Sequence, residues 1–233
     1  HAPSGVRDVS LEVRVGEIVG LSGLVGSGRT EVARAIFGAD PVSSGSVKIF
    51  GQLQNGGPLR AIKLGAALIP ENRKSQGLAL ILSCAHNITM ASLKRLFPTG
   101  WFVPSTNLAR SNDLIKRLRV ATPGSHQLVQ FLSGGNQQKI VISKWLSAES
   151  RLFIFDEPTR GIDVGAKAEI FSLIDGLVKQ GAAVLMISSE LSEIVKVCDR
   201  AYVMRDGTIA GELKRENINE ESILALGVHD ARA

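Results

Sequence analysis

Short apolar runs bounded by turn residues recur along the chain and predict buried strands. Residues 18–22, 152–155 and 182–187 are compact runs of this kind. Residues 11–15 instead alternate apolar and polar positions with period two, which is typical of a half-buried strand. The sequence therefore predicts strands near both ends of the chain.

Helical periodicity fills most of the remaining sequence. Residues 31–37 and 164–179 place apolar side chains at three- and four-residue steps before a glycine, which predicts helices that pack on a sheet. Residues 107–120 and 135–146 have the same periodicity with no strong strand signal near them. Strands that alternate with helices are typical of an α/β fold.

The uneven distribution of these patterns predicts two subdomains. We expect an α/β core over residues 1–82 and 150–233, with a helical subdomain over residues 83–149 inserted into it. A chain of 233 residues, 44% hydrophobic and with 24 glycines, is long enough to bury a sizeable core. This composition excludes a disordered chain and a small disulfide-stapled fold.

Charge and cysteine content narrow the function classes further. The net charge is +5, but the basic residues are scattered, which favours a solvated surface over a nucleic-acid-binding arm. Residues 78–93 are weakly polar and too interrupted to span a bilayer. Cys84 and Cys198 lie far apart, so we expect buried thiols in a reducing compartment. The chain begins without Met or a signal-like leader, and we expect a piece of a longer protein.

A glycine-rich segment follows the first compact strand and opens a helix. Residues 23–30 (GLVGSGRT) fit the phosphate-binding pattern G-x-x-x-x-G-K-[ST], except that Arg29 replaces the lysine. Successive backbone amides in such a loop can bind phosphate oxygens. A tight strand-to-helix turn explains the segment equally well when it is taken alone. The nucleotide-binding candidates are Gly23, Val25, Gly26, Ser27, Gly28, Arg29, Thr30 and Glu31.

Two further motifs decide between a phosphate-binding loop and a tight strand-to-helix turn. Residues 132–139 read LSGGNQQK, and residues 152–159 read LFIFDEPT. With the glycine loop, they resemble the ATP-binding cassette family over essentially the whole chain. The versions present here resemble the second cassette of tandem ATPases that drive bacterial monosaccharide import (ribose, xylose, galactose, arabinose and autoinducer types). The resemblance implies a P-loop NTPase, with a RecA-like core, a mixed sheet and flanking helices.

The resemblance also implies roles for individual residues. Asp156 and Thr30 would hold Mg²⁺ with ATP bound, and Glu71 stands at a third metal-associated position. Glu157 would activate water, and Ser189 stands at the switch position, so these two are the catalytic positions. The signature segment would reach the ATP of a partner cassette, either the first cassette of the same polypeptide or a second copy of this one. Its residues are Leu132, Ser133, Gly134, Gly135, Asn136 and Gln137. Ser133 and Asp163 are also plausible helix N-caps.

Three departures from the family pattern weaken the site on this chain's own glycine loop. Arg29 replaces lysine, Glu71 replaces glutamine, and Ser189 replaces histidine. An ionised glutamate has no hydrogen to donate, and serine lacks the titratable imidazole. The family's adenine-stacking aromatic lies upstream of the first strand, whereas the first aromatic here is Phe37. We therefore expect this loop to hold nucleotide with little turnover while the intact signature segment serves the partner's site.

These expectations define one function and two rivals. The expected function is that of an importer ATPase bound to an integral membrane permease at the cytoplasmic face of the bacterial inner membrane. An external sugar-binding protein would deliver the substrate, and no nucleic acid is involved. One rival is a nucleotide-holding regulatory module without catalysis. The other is a DNA-repair or translation ATPase of the same superfamily, although the hundred or so residues between loop and signature favour transport.

Overall fold

The computed structural model describes residues 5–228. The strands are β1 (Ile18–Gly23), β2 (Lys48–Ile49), β3 (Gln52–Leu53), β4 (Ala66–Ile69), β5 (Leu152–Asp156), β6 (Ala183–Ile187), β7 (Arg200–Arg205) and β8 (Thr208–Lys214). The α-helices are α1 (Arg29–Phe37), α2 (Pro58–Lys63), α3 (Cys84–Thr89), α4 (Leu93–Leu96), α5 (Pro104–Arg117), α6 (Gly134–Ser147), α7 (Val164–Lys179), α8 (Leu191–Val197) and α9 (Glu220–Gly227). Within this part of the chain, no helix is long and apolar enough to cross a membrane.

A mixed sheet organises the α/β part of the fold, as predicted. Its order is β4-β5-β6-β1-β7-β8, in which β1 is parallel to both β6 and β7 while β8 runs antiparallel to β7. The central strands are buried and mostly apolar, which is typical of parallel strands with helices on both faces of the sheet. Parallel pairing brings the carboxyl ends of β1, β5 and β6 to the same edge of the sheet.

The period-two segment at residues 11–15 differs from its prediction. It forms no strand in the described chain, although Leu11 and Val13 pack against the core cluster around Val19 and Leu21. Glu12 and Arg14 are exposed. Leu11 and Val13 therefore lie on the buried side of this segment, but no neighbouring strand among residues 5–228 pairs with it.

The chain divides into two compact units. The described part of the first unit comprises residues 5–68, 151–158 and 174–228, and it contains the sheet apart from the last residue of β4. Its core combines strand residues such as Ile154 and Leu185 with Val32 of α1. Cys198 is a buried free thiol in this unit, as expected for an unpaired cysteine.

The second unit comprises residues 69–150 and 159–173 and is built mainly from helices. It begins earlier than the helical subdomain expected from residue 83, and it also includes a segment after β5. Side chains inside the unit account for the difference, because Lys144 donates a hydrogen bond to the Gly77 carbonyl and Asn87 donates one to the Ala79 carbonyl. A boundary at residue 83 would separate those partners.

Candidate functional site

The glycine loop joins β1 to α1 with a left-handed backbone at two positions. Gly26 has φ +84°, and Gly28, the N-cap of α1, has φ +100°. Both values lie where residues with a Cβ are disfavoured. The Ser27 amide donates to the Leu24 carbonyl, and the Ser27 carbonyl accepts from the Gly207 amide. The loop is therefore folded into a fixed turn whose amides lead into the N-terminus of a helix.

Close approach fixes the start of the loop. A Cβ on Gly23 would lie 2.3 Å from the Met204 carbonyl oxygen and 2.8 Å from Ser27 Oγ. Ser27 is buried, and its Oγ has no hydrogen-bond partner among the described residues. Val25 is 90% exposed at the tip, and Glu31 lies in the first turn of α1. A buried hydroxyl without a partner beside a phosphate-type loop is a polar atom that an anion or water can satisfy.

Thr30 and Asp156 form the polar pair beneath this loop. Asp156 ends β5 and is 3% exposed, and its side chain is hydrogen-bonded to that of Thr30. Asp156 Oδ1 has no hydrogen-bond partner in the described chain. Burial raises the pKa of Asp156 to about 6, against the opposing hydrogen bond from Thr30. A carboxylate and a hydroxyl are ligands that suit Mg²⁺, and the unsatisfied oxygen leaves one of them available.

Arg29 does not extend from α1 as a solvated cation. It is 8% exposed, and its Nη1 donates to the Ser188 carbonyl at 2.8 Å. Its Nη2 lies 3.8 Å from Glu157 Oε1. Burial lowers the pKa of Arg29, although the nearby Glu157 and Asp156 carboxylates act in the opposite direction. The guanidinium therefore spans the ends of β5 and β6.

Glu157 has an unusual backbone and two side-chain partners. Its φ is +51°, a left-handed value that is strained for a glutamate, and its amide donates to the Ile187 carbonyl. Ser189 Oγ donates to Glu157 Oε2 at 3.1 Å, while Oε1 faces Arg29. The two predicted catalytic positions, Glu157 and Ser189, are thus in direct contact.

An apolar cleft of about 180 Å³ adjoins the loop in the same unit. It is lined by Gly23, Leu24, Val25, Ser189, Leu191, Ile223, Leu224 and Gly227. The lining is mostly apolar, which does not suit a triphosphate. The phosphate-binding candidates are therefore the loop amides rather than this cleft.

The signature residues lie at the start of α6 in the second unit. Ser133 is the N-cap, and its Oγ accepts hydrogen bonds from the amide and the side-chain Nδ2 of Asn136. The N-cap role proposed from sequence is therefore present. Ser133 is exposed, so its hydroxyl also faces solvent at a helix N-terminus.

The remaining signature residues are held by the surrounding backbone. Asn136 Oδ1 accepts from the Ala121 amide at 2.8 Å, and buried Gln137 donates to the Val129 carbonyl. A Cβ on Gly135 would lie 2.6 Å from Ala166 Cβ. Leu132, which precedes the N-cap, donates its amide to the Val129 carbonyl. The segment is a packed helix start rather than a loose loop.

Arg73 lies beside the start of the signature helix, and polar contacts join neighbouring segments of the second unit to each other. A Cβ on Gly134 would lie 2.6 Å from Arg73 Nη2 and 3.1 Å from the Gly161 carbonyl oxygen. Glu71, predicted as a metal-associated residue, forms an ion pair with Arg160 in this unit. Asp163 Oδ1 accepts from the Ala166 amide at 2.9 Å, which is the N-cap contact expected of it.

Comparison with known proteins identifies the family. The profile described as ABC transporter matches residues 6–160. This chain belongs to the ABC transporter family. It is an ATP-binding domain of that family, and its P-loop fold is the one predicted.

Its relatives include ribose import ATP-binding proteins. It is 50% identical over 227 residues to ribose import ATP-binding protein RbsA 3 of Rubrobacter xylanophilus, an alignment covering 95% of this chain and 44% of the relative. It is 48% identical over 231 residues to RbsA 2 of Escherichia coli O157:H7, covering 98% and 46%. The chain therefore spans less than half the length of these curated relatives.

Solved structures match the fold closely at low sequence identity. A nucleotide-free ATP-binding cassette from an ABC transporter superposes with a TM-score of 0.80 at 19% identity, covering 97% of this chain and 93% of the other. A dimeric bacterial ABC transporter cassette gives a TM-score of 0.78 at 20% identity, covering 91% and 90%. At this identity the likeness establishes the ABC cassette fold.

The sequence did not indicate two sets of contacts. The convergence of Arg29 and Ser189 on Glu157 follows from the adjacency of β5 and β6, which the apolar runs indicate but do not order. Arg73 was singled out by no motif, yet it donates hydrogen bonds to two carbonyls near the signature helix. Its position just before a turn carried no chemical signal in the sequence.

Proposed function

We propose that this domain binds ATP with Mg²⁺ on the loop of residues 23–30, as one ATP-binding half of an importer ATPase. The observation that carries the proposal is the pair of buried oxygens without partners, Ser27 Oγ and Asp156 Oδ1, in the unit that holds the loop. Buried polar atoms in folded proteins are nearly always satisfied, so these two atoms fit a site for a polar ligand.

The residues present fit this nucleotide and metal. The loop amides and the α1 N-terminus bind phosphate oxygens, and Thr30 with Asp156 holds the metal. Mg²⁺ supplies positive charge that offsets the charge on the phosphates. Glu157 is the group that orients or deprotonates the attacking water. Glu71 forms an ion pair with Arg160, so it is the least available of the proposed metal-binding residues.

The two motif regions of this chain differ in how far they keep the family pattern. The loop region carries Arg29 and Ser189, whereas the signature segment is intact and well held. We therefore propose that this domain retains nucleotide with little turnover and that Ser133 completes the hydrolytic site of a partner cassette. The relatives are about twice as long as this chain. Their length supports the presence of another cassette, the partner, in the same polypeptide.

The transport assignment rests on the relatives. We propose uptake of a ribose-type monosaccharide through an integral membrane permease, with this domain peripheral at the cytoplasmic membrane face. An external sugar-binding protein would act indirectly. The 50% and 48% identities to proteins named as ribose import ATP-binding proteins support this substrate class.

The test compares the two regions in the complete polypeptide. We expect Ser133→Arg to lower steady-state ATP hydrolysis and ribose uptake about 100-fold, because it places a bulky side chain where phosphate contacts are needed. We expect Arg29→Ala to lower hydrolysis only about three-fold, since most turnover occurs at the other site. Substitution of the exposed Lys179 by Ala in α7 is the control.

The reverse ranking would contradict the assignment. If Ser133→Arg leaves hydrolysis untouched while Arg29→Ala abolishes it, the hydrolytic site lies on this chain's own loop. Equilibrium binding of a fluorescent ATP analogue, with and without Mg²⁺, gives a readout that does not depend on turnover. Binding that is lost in Asp156→Asn would support the metal set.

A further inference from the structure

Two residues that depart from the family pattern contact the same carboxylate. Arg29 belongs to the glycine-loop motif, and Ser189 follows β6, 160 positions later in the chain. Arg29 Nη2 lies 3.8 Å from Glu157 Oε1, and Ser189 Oγ donates to Oε2 at 3.1 Å. Each oxygen of Glu157 therefore has its own partner, and both partners are the substituted residues.

The sheet brings these positions together. β5 and β6 pair in parallel, with Asp156 opposite Ile187, so Glu157 and the serines after β6 leave the sheet side by side. Glu157 is also fixed through its backbone, because its amide donates to the Ile187 carbonyl. The backbone of Glu157 is therefore fixed relative to β6, which keeps its carboxylate within reach of both partners.

The shape of the arginine side chain matters for this contact. Arg29 anchors one arm of its guanidinium on the Ser188 carbonyl at 2.8 Å and turns the other toward Glu157. A guanidinium is a planar fork with fixed donor directions, whereas a lysine ammonium is a compact point charge. Arginine at this position can therefore hold a strand end and a carboxylate at once.

The neighbouring carboxylate is held differently. Asp156 Oδ1 has no hydrogen-bond partner in the described chain, although Asp156 precedes Glu157 directly. The polar contacts of this region thus restrain the water-activating group and leave an oxygen of the metal-binding group available. That pattern fits a site that binds nucleotide and does not hydrolyse it.

We propose that Arg29 and Ser189 are positioning residues that together hold the Glu157 carboxylate away from the attacking water, so that nucleotide bound on this loop is retained. This inference rests on the proposed function and adds the cause of the low turnover. Each contact alone restrains one oxygen. Removing either contact frees one oxygen of Glu157, and removing both frees the whole carboxylate to accept a proton from water.

The experiment releases the carboxylate in the complete polypeptide carrying Ser133→Arg, which suppresses turnover at the partner site. Arg29→Lys and Ser189→Ala are introduced singly and together, and single-turnover hydrolysis of stoichiometric ATP is measured beside equilibrium ATP affinity. We expect the double variant to hydrolyse its bound ATP about ten-fold faster, with the rate normalised to the fraction bound, because a free general base accelerates such steps by at least this factor. Adding Glu157→Gln should remove the gain.

The controls separate release of Glu157 from structural damage. Arg34→Lys changes another α1 arginine that pairs with an acid, Asp40, and should leave the rate unchanged. Ser189 is exposed, so Ser189→Ala reports on release even if the buried Arg29→Lys unfolds, which thermal unfolding will reveal. A double variant that binds ATP and gains less than two-fold, or a gain that survives Glu157→Gln, would overturn the proposal. Failure of the unsubstituted protein to bind ATP would overturn the proposed function and this inference with it.

Discussion

Gly26 of the nucleotide loop and Gly135 at the start of α6 meet different physical requirements. Gly26 has φ +84° and open space where a Cβ would be, so its glycine is needed for backbone conformation. Gly135 has no positive φ, but a Cβ there would lie 2.6 Å from Ala166 Cβ, so its glycine is needed for close packing. At these two positions, the loop depends on a turn and the signature helix on a contact between helices.

The loop region and the signature helix also differ in how well they tolerate amino-acid substitutions. The loop region already carries Arg29 and Ser189, and its polar groups are rearranged around Glu157. The signature helix is fixed by backbone and side-chain contacts that leave no room at Gly135. A turn can retain its shape while its side chains change, whereas a packed helix start cannot.

The largest expected effect is at Gly135. Gly135→Ala should lower the free energy of unfolding by about 3 kcal/mol, because its Cβ clashes with that of Ala166 and neither atom can rotate away. Urea unfolding of the single and double variants measures it. Gly135→Ala with Ala166→Gly should recover about 2 kcal/mol, the remainder being the cost of glycine in a helix.

A matched control lies in the interior of α7. Gly176 has nothing within 4 Å of its would-be Cβ, and Gly176→Ala should stabilise the protein by about 0.5 to 1 kcal/mol. A gain at Gly135 equal to that at Gly176 would show that helix propensity, and not packing, decides the effect. The contrast between conformation and contact would then fail for the signature helix.

The second expected effect concerns the buried carboxylate of the loop region. Folding raises the pKa of Asp156 from 3.8 to about 6, so the folded state binds its proton more tightly than the unfolded state does. Ionisation of Asp156 therefore costs stability at pH values above about 6, and this cost disappears below about pH 4. In the absence of Mg²⁺, Asp156→Asn should stabilise the protein by about 2 kcal/mol at pH 8.

The pH series decides whether the gain comes from ionisation. The advantage of Asp156→Asn should shrink as the pH falls through 6 and vanish near 4. Asp175→Asn removes an exposed acid that pairs with Lys179, and it should leave stability nearly constant over the same range. A pH-independent gain at Asp156 would show that packing, and not burial of charge, is responsible.

The sequence predicted the fold where local pattern and packing agree. The apolar runs at residues 152–155 and 182–187 became β5 and β6, and the helix before Gly38 became α1. The pattern at residues 11–15 predicted a strand that does not form. Alternation shows only which side of a segment is buried. Strand formation also needs a hydrogen-bonded neighbour, which a local pattern cannot supply.

The candidate site could be predicted as a set of residues but not as a set of contacts. The resemblance to the family identified Arg29, Glu157 and Ser189, yet an arginine at the lysine position can point toward phosphate or toward the sheet. Its direction depends on the Ser188 carbonyl, which only the order of β1, β5 and β6 brings near. Residues that act through long-range contacts, such as Arg73, leave no local signal.

The smallest expected effect is at Gly26, where conformation alone is at stake. Gly26→Ala should cost about 1 kcal/mol, because a residue with a Cβ is strained at φ +84° even though nothing lies within 4 Å. Gly26→Asn should cost less, since asparagine tolerates the left-handed region better than alanine does. Urea unfolding without nucleotide separates the two variants. An asparagine variant as unstable as the alanine variant would mean that the loop excludes side chains by contact, as the signature helix does.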